Sequence, residues 1–280
     1  MTDDPSVLVS TGWLAERLEA PGLTVLDGSW YLPDMGRDAV AEYRAAHIPG
    51  ARFFDIEAVS DASSGLPHTV PTAAMFAAAC RDLGVRGDGQ VVVYDGMGLF
   101  SAARVWWLLR HMGHARVAVL DGGLPKWRAE GREVSDAVPP SGGGDLTPAR
   151  DAALIADTGQ VAAGDAQIVD ARPAARFRGD APEPREGLRA GHIPGSHNLF
   201  FGDLIAPDGT MKSEPELHAA FRAAGVDPAR PVITTCGSGV TAAILSLALA
   251  RIGHADHALY DGSWSEWGLD PALPIETGER

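Results

Sequence analysis

The sequence predicts an α/β protein made of two tandem domains, each a parallel sheet flanked by helices on both faces. Its 280 residues correspond to about two domains, since domains usually hold roughly 100–200 residues. Landmark residues recur along the chain at a nearly constant spacing, which indicates an internal duplication. Short apolar runs alternate with helical patterns in both halves, as βαβ units do.

The internal repeat is clearest at a His-Ile-Pro-Gly tetrapeptide, which begins at His47 and again at His192. Each copy leads into a pair of phenylalanines. Three further landmarks follow each copy in the same order: an apolar run ending at Asp95 or Cys236, an Ala-rich helical pattern, and a tryptophan at Trp127 or Trp267. Several landmarks in one order and at one spacing favour duplication over chance.

The predicted elements of each half follow from this pattern. The apolar runs 91–94 and 232–235 are bounded by turn residues, which is typical of buried parallel strands. Helices are expected over 102–112 and 242–252. The Pro-, Gly- and Ser-rich segment 138–150 has no periodicity and is predicted to be a linker. We therefore expect an N-terminal domain over 1–137 and a C-terminal domain over 151–280.

Composition and charge exclude several classes of function. A net charge of −14 disfavours nucleic acid and anionic membranes as partners, because both require a positive surface. The two cysteines lie far apart, so no disulfide framework is expected. The N-terminus lacks the apolar region of a secretory signal, and the longest apolar stretch, 242–250, is too short to cross a bilayer. A cytoplasmic location is the simplest expectation.

The segment around Cys236, Thr-Thr-Cys-Gly-Ser-Gly-Val-Thr-Ala, carries the strongest functional signal. A predicted strand ends, Gly237 and Gly239 permit a tight turn, and a helix begins near Thr241. Such a turn directs successive N–H groups, those of Val240 and Thr241 included, into a small bowl that binds anions. A cysteine at its rim is held as the nucleophilic thiolate. The alternative is a buried structural cysteine, but the end of a parallel strand is where α/β folds place ligands.

A cysteine-dependent phosphatase would use a similar loop with an arginine six residues after the cysteine. Here that position is Ala242, so the guanidinium that would clamp a phosphoryl group is missing. Cys80 lies in a helical run and is expected to be a core residue. Histidines without other donors at ligand spacing predict no metal site, and no cofactor is expected.

Together, the paired His-Ile-Pro-Gly turns and the Cys-Gly-Ser-Gly-Val-Thr loop resemble the tandem rhodanese-domain sulfurtransferases. The segments Asp-Gly-Ser-Trp-Tyr-Leu-Pro from Asp27 and Tyr-Asp-Gly-Ser-Trp from Tyr260 strengthen the likeness. The loop is similar to that of the 3-mercaptopyruvate sulfurtransferase branch, whereas thiosulfate sulfurtransferases usually carry Arg and Lys after the cysteine. Thiosulfate is a dianion that needs cations beside its sulfur, and the residues after Cys236 are uncharged.

The resemblance implies two rhodanese-like domains and sulfur transfer from 3-mercaptopyruvate through a Cys236 persulfide, with release of pyruvate. A small thiol, a thioredoxin-like protein or cyanide would then accept the sulfur. The first domain is expected to be catalytically silent, because Asp95 stands where the second domain has Cys236 and a carboxylate cannot carry sulfane sulfur.

Site residues carried over from the resemblance fall into two groups. Arg176 and Arg185 would bind the carboxylate and keto groups of the substrate, since the planar guanidinium suits both. Arg172 is expected to pair with acidic groups inside its domain, and the role of Arg178 is left open.

The second group consists of a serine, a histidine and an acid arranged as in a serine protease. Ser238 and His68 match the first two, although a turn serine and an exposed histidine are the simpler interpretations. Glu57 is the best match for the acid, with Asp55 as the alternative. Two other functions stay open: a thiosulfate sulfurtransferase, and a non-catalytic sulfur carrier or regulatory module.

Overall fold

The apolar runs of the sequence form two five-stranded sheets in the computed structural model, which describes residues 2–227 and 229–279. The strands of the first sheet are β1 (Leu8–Val9), β2 (Leu23–Asp27), β3 (Arg52–Phe53), β4 (Gln90–Tyr94) and β5 (Val117–Leu120). The strands of the second sheet are β6 (Ile155–Ala156), β7 (Gln167–Asp170), β8 (His197–Asn198), β9 (Val232–Thr235) and β10 (His257–Tyr260).

Both sheets have the same topology. The strand orders are β1-β5-β4-β2-β3 and β6-β10-β9-β7-β8, and all the strand pairings are parallel. In this order the central strands β4 and β9 occupy equivalent places. The predicted α/β class with two parallel sheets is confirmed, and the shared strand order is what a duplicated sequence should produce.

Helices connect the strands in both halves. Those of the first half are α1 (Thr11–Ala15), α2 (Ala39–Ala45), α3 (Ala73–Asp82), α4 (Ala102–His111) and α5 (Gly123–Ala129). Those of the second half are α6 (Thr158–Ala163), α7 (Ala174–Arg178), α8 (Glu214–Ala223), α9 (Ala242–Arg251) and α10 (Ser263–Trp267). The Ala-rich patterns predicted to be helical form α4 and α9. Both are buried along almost their whole length, α4 against β4 and β5, and α9 against β9 and β10.

The alternation of side chains along each strand builds the core. In β4, Val92 and Tyr94 join a cluster with Trp127, while Val91 and Val93 are buried on the opposite face. In the second half, Ile233 packs in the corresponding cluster with tryptophans of α10. Because both faces of the central strands are buried, the sequences of these strands are continuous apolar runs and do not alternate between apolar and polar residues. No helix in residues 2–227 and 229–279 combines the length and the apolar surface that a membrane span requires.

The chain divides into two compact units. The first comprises Met1–Ser60, Pro71–Asp151 and Ala206–Met211, and the second comprises Asp61–Val70, Ala152–Ile205 and Lys212–Arg280. Each unit thus includes a short segment from the other half of the sequence. The Pro- and Gly-rich stretch 138–150 contains no helix or strand, and backbone bonds such as Gly142 N–H to the Asp82 carbonyl (2.8 Å) attach it to the first unit.

Asp27, at the end of β2, gives the first unit a predictable pH dependence. It is 2% exposed, and burial raises its pKa above the ordinary value. The folded protein therefore holds this proton to higher pH than the unfolded chain does. The resulting stability is complete below about pH 4 and is lost as pH rises through the folded-state pKa.

We therefore expect Asp27→Asn to flatten the dependence of the unfolding free energy on pH above about pH 4. Urea unfolding at several pH values measures it. Asp34→Asn is the matched control, because it removes the same charge from an exposed position. Parallel curves for wild type and Asp27→Asn would contradict the expectation.

Candidate active site

The Cys236 loop, residues 236–241, joins the end of β9 to the start of α9. Its conformation depends on Gly239, whose φ of +79° lies in the left-handed region that residues with a Cβ rarely adopt. Cys236 is 2% exposed and Ser238 5% exposed. The predicted arrangement of strand, glycine turn and buried helix is therefore present, with the thiol at the carboxyl end of a central strand.

The start of α10 anchors this loop through contacts that the sequence analysis did not anticipate. Trp264 N–H donates to the Cys236 carbonyl (2.9 Å), and Cys236 N–H donates to Ser263 Oγ (3.3 Å). Ser265 donates to the Gly237 carbonyl through both its N–H (2.9 Å) and its hydroxyl (2.6 Å). Ser263 has a φ of +49°, where the equivalent Gly123 of the first unit has +52°. A non-glycine residue in this region is strained, and here the strain places a hydroxyl beneath the cysteine.

The equivalent loop of the first unit shows what this turn binds. Asp95 follows β4 as Cys236 follows β9. Gly98 is the counterpart of Gly239 and also has a positive φ, +109°. Leu124 N–H donates to the Asp95 carbonyl (3.0 Å), as Trp264 N–H does to the Cys236 carbonyl. The Asp95 carboxylate accepts five backbone N–H bonds of 2.8–2.9 Å. The donors are Met97, Gly98, Phe100, Ser101 and Ala102. In the first unit this turn is thus an anion bowl. In the second unit the loop before the helix is one residue shorter, and a thiol stands where the first unit has the carboxylate.

Ser238 and His68 are brought together. A hydrogen bond of 2.9 Å joins Ser238 Oγ to His68 Nδ1. The histidine lies in the segment Asp61–Val70 of the second unit, is 2% exposed and has a φ of +60°. Val70 N–H donates to Asp261 Oδ2 (2.8 Å), which anchors this segment. His68 is therefore a buried partner of the loop serine and not an exposed loop histidine.

The two candidates for the acid, Glu57 and Asp55, lie in the first unit. Glu57 Oε1 accepts a hydrogen bond from Trp30 Nε1 (2.8 Å). Asp55 Oδ1 accepts from the N–H groups of Glu57 (3.0 Å) and Ala58 (3.1 Å), so it closes a local turn. The assignment of an acid to the serine–histidine pair stays a prediction.

An ion-pair chain lies beside the Cys236 loop, in the order Asp170–Arg172–Glu183–Arg176. Arg172 Nη2 donates to Asp170 (2.6 Å), and its Nη1 donates to Glu183 (2.7 Å). Arg176 forms a bidentate pair with the same Glu183 carboxylate. The prediction that Arg172 pairs inside its domain is confirmed. Arg176 Nη2 lies 3.2 Å from the point that a Cβ on Gly237 would occupy, so this guanidinium borders the loop.

The other two arginines of this region differ in their surroundings. Arg178 Nε donates to Asp180 (2.7 Å) at the surface, with 32% of its side chain exposed. Arg185 is half-buried in the loop after Glu183. Arg176 lies at the Cys236 loop, through the approach of its Nη2 to Gly237.

Cys80 provides a contrast with Cys236. It lies in α3 with no exposed surface, and burial raises the pKa of its thiol to about 12. The expectation that it is a core residue is confirmed.

The raised pKa of Cys80 predicts the pattern of alkylation. With limiting iodoacetamide near pH 7.5, Cys80 should be modified at least about tenfold more slowly than Cys236, because its thiol stays protonated and only a thiolate attacks the reagent. Peptide mass spectrometry of the native protein measures both sites, and the urea-unfolded protein, in which both react, is the control. Faster alkylation of Cys80 than of Cys236 in the native protein would contradict the assignment of Cys236 as the nucleophile.

Comparison with known proteins agrees with the geometry. The model of the Rhodanese-like domain matches residues 10–130 and again 155–270. The 3-mercaptopyruvate sulfurtransferase of Escherichia coli (strain K12) is 43% identical over 273 residues, which are 96% of this chain and 97% of that protein. The thiosulfate sulfurtransferase of Cricetulus griseus is 44% identical over 271 residues, covering 93% and 91% of the two chains.

A solved structure extends the likeness to three dimensions. The crystal structure of SseA from Escherichia coli, described with the 3-mercaptopyruvate sulfotransferases, superimposes with a TM-score of 0.85 at 41% identity. The match covers 93% of this chain and 100% of that one. With two matches to one domain model, two sheets of one topology and a cysteine loop in the second, this chain belongs to the rhodanese family.

Proposed function

We propose that this chain is a sulfurtransferase that moves sulfane sulfur from 3-mercaptopyruvate to an acceptor through a persulfide on Cys236. The observation that carries the proposal is the anion bowl. Its first copy holds the Asp95 carboxylate with five N–H bonds, and its second copy has Cys236 at the same position. Backbone dipoles of this kind stabilise a thiolate and, after reaction, a persulfide anion.

The first half-reaction is a displacement at sulfur. The Cys236 thiolate attacks the sulfur of 3-mercaptopyruvate, a sulfur–sulfur bond forms, and the carbon–sulfur bond breaks. Its electron pair leaves on the enolate of pyruvate, which takes the proton from the transferred thiol. The products are pyruvate and the Cys236 persulfide anion. This sequence divides one difficult transfer into two steps, as covalent catalysis does.

The second half-reaction regenerates the enzyme. A nucleophile attacks the outer sulfur, and the bond between the two sulfurs breaks with return of its electron pair to Cys236. Cyanide serves as the acceptor in an assay, and we propose a small thiol or a thioredoxin-like protein as the acceptor otherwise.

Side chains around the Cys236 loop would position the sulfur donor. Arg176 borders Gly237 and can bind the carboxylate or keto oxygen, and Arg185 is proposed to bind the other group. The Ser238–His68 pair, with its 2.9 Å hydrogen bond, can polarise the carbonyl or move the proton that the enolate needs. Glu57 or Asp55 is proposed as the acid that orients the histidine. The N–H groups of Gly237, Gly239, Val240 and Thr241 are proposed to stabilise the thiolate and the persulfide.

Thiosulfate is the second candidate donor. A relative 44% identical to this chain is named a thiosulfate sulfurtransferase, so the family assignment alone does not choose between donors. The Cys236 loop favours mercaptopyruvate, because none of its residues is charged and a dianion gains most from cations beside its sulfur.

The test compares kcat/KM for 3-mercaptopyruvate and thiosulfate with cyanide as the acceptor. We expect kcat/KM to be at least about tenfold higher for mercaptopyruvate than for thiosulfate, because the enzyme stabilises the transition state with mercaptopyruvate more strongly. Mass spectrometry after mercaptopyruvate addition should show one extra sulfur atom on the peptide that contains Cys236. A preference for thiosulfate would overturn the donor assignment. Absence of turnover with both donors would favour a sulfur carrier or regulatory module.

A further inference from the structure

The ion-pair chain beside the Cys236 loop ends at Arg176, which is held by the buried carboxylate of Glu183. We infer that Glu183 is a specificity-determining residue: it positions Arg176 at the loop and cancels its charge, so that the site favours a donor with one carboxylate over a dianion. This inference rests on the proposed function, since it concerns the choice of sulfur donor.

Burial shows that Glu183 belongs to the interior rather than to the surface. The side chains of Asp170, Arg172 and Glu183 are each 1% exposed, whereas that of Arg176 is 19% exposed. Arg176 is therefore the one end of the chain that a ligand in solution can reach. Removal of a single member from a buried ion-pair network leaves its partner's charge uncompensated.

The geometry also determines which part of Arg176 is free to bind. Its Nε and Nη2 point to the two carboxylate oxygens of Glu183. No residue in the described parts of the chain accepts a hydrogen bond from its Nη1. The guanidinium thus presents its outer edge, formed by Nη1 and Nη2, beside Gly237. A planar carboxylate or α-keto acid group fits this edge with hydrogen bonds.

The charges of the four side chains in the ion-pair chain Asp170–Arg172–Glu183–Arg176 sum to zero. Two carboxylates and two guanidinium groups alternate, and the Cys236 loop adds no charged side chain. The next pair outward, Arg178 with Asp180, is also compensated. The groups that hold Arg176 therefore add no net positive charge, and the further cation of the proposed donor site is Arg185. The second charge of a dianion then gains little attraction to offset its desolvation.

Glu183→Gln tests the inference, because it keeps the shape of the side chain and removes the charge that opposes Arg176. We expect the ratio of kcat/KM for thiosulfate to kcat/KM for 3-mercaptopyruvate to rise about fivefold to tenfold at low salt. The gain should shrink at high ionic strength, where partly exposed charges are screened. A ratio unchanged from wild type, in a folded variant that still turns over mercaptopyruvate, would overturn the inference.

Two further variants separate charge from position. Arg176→Gln leaves the Glu183 charge uncompensated, so it should move the ratio in the opposite direction, away from thiosulfate. The double variant Arg176→Gln/Glu183→Gln restores neutrality and should return the ratio toward wild type while both kcat/KM values stay low. If Glu183→Gln does not fold, the Arg176→Gln result decides alone, and a ratio that rises or stays constant in that variant would contradict the inference.

The outcomes also separate this inference from the proposed function. If the wild-type protein does not turn over mercaptopyruvate, the proposed function fails before any variant is made. If it does, and the variants keep the wild-type donor ratio, the proposed function stands and the role inferred for Glu183 is wrong. Near-ultraviolet circular dichroism of each variant identifies a loss of tertiary packing.

Discussion

Replacement of Cys236 by serine is expected to lower sulfur transfer from 3-mercaptopyruvate to cyanide by more than about a thousandfold. The hydroxyl fits the space of the thiol, but it is not ionised near neutral pH and forms no persulfide. Because Cys236 is almost fully buried and the loop is held by backbone bonds to α10, the fold should be retained. Pyruvate release in a single turnover without acceptor measures the first half-reaction, and thiocyanate formation after addition of cyanide measures the second.

The matched control is Cys80→Ala, which removes the other cysteine. Its thiol is buried in α3 with a pKa near 12, so it takes no part in the proposed chemistry. This variant should keep its kcat/KM within about twofold of wild type and lose stability instead, as small cavities in a core do. A Cys236→Ser protein that kept more than about a tenth of wild-type activity would require a different sulfur carrier.

Replacement of Asp95 by alanine should have the largest effect on stability. Its carboxylate accepts five backbone N–H bonds in the interior of the first unit, and the residue has no exposed surface. Removal of a buried charged acceptor commonly costs about 3–5 kcal/mol, because the donors lose a partner that water does not replace. Urea unfolding followed by tryptophan fluorescence measures the loss.

The variant Asp95→Asn serves as the comparison, since it keeps the volume and one acceptor oxygen while it adds an NH₂ group that faces other donors. It should lie between wild type and Asp95→Ala in unfolding free energy. A loss below about 1 kcal/mol in Asp95→Ala would mean that the turn forms without its anion, and that the first unit gives no reason to expect anion binding at the Cys236 loop.

The features predictable from the sequence are those that depend on local pattern. The runs at β4 and β9 are apolar because both faces of a central parallel strand are buried. The Cys236 loop follows from a strand, two glycines and an Ala-rich helix in succession. The internal pairing of Arg172 follows from Asp170 two residues earlier, in an acidic chain.

Contacts between residues distant in sequence were not predictable in the same way. Ser263 and Ser265 look like ordinary turn residues, yet their hydroxyls hold the loop around Cys236. The one available signal was the difference between Asp-Gly-Gly at Asp121 and Asp-Gly-Ser at Asp261 in the two repeats. Glu183 sits between prolines in an apparently exposed loop, and only the fold reveals that its carboxylate is buried against two arginines.

The residues that form each compact unit limit where the gene of such a protein can be split during evolution. His68 is encoded in the first half of the sequence but belongs to the second unit, where it bonds to Ser238. A gene split at the Pro- and Gly-rich stretch 138–150 would yield a C-terminal polypeptide with the nucleophile but without its histidine. Fission of the duplicated gene would therefore separate Cys236 from part of its own surroundings, and selection for the second unit alone would also maintain a short stretch of the first half.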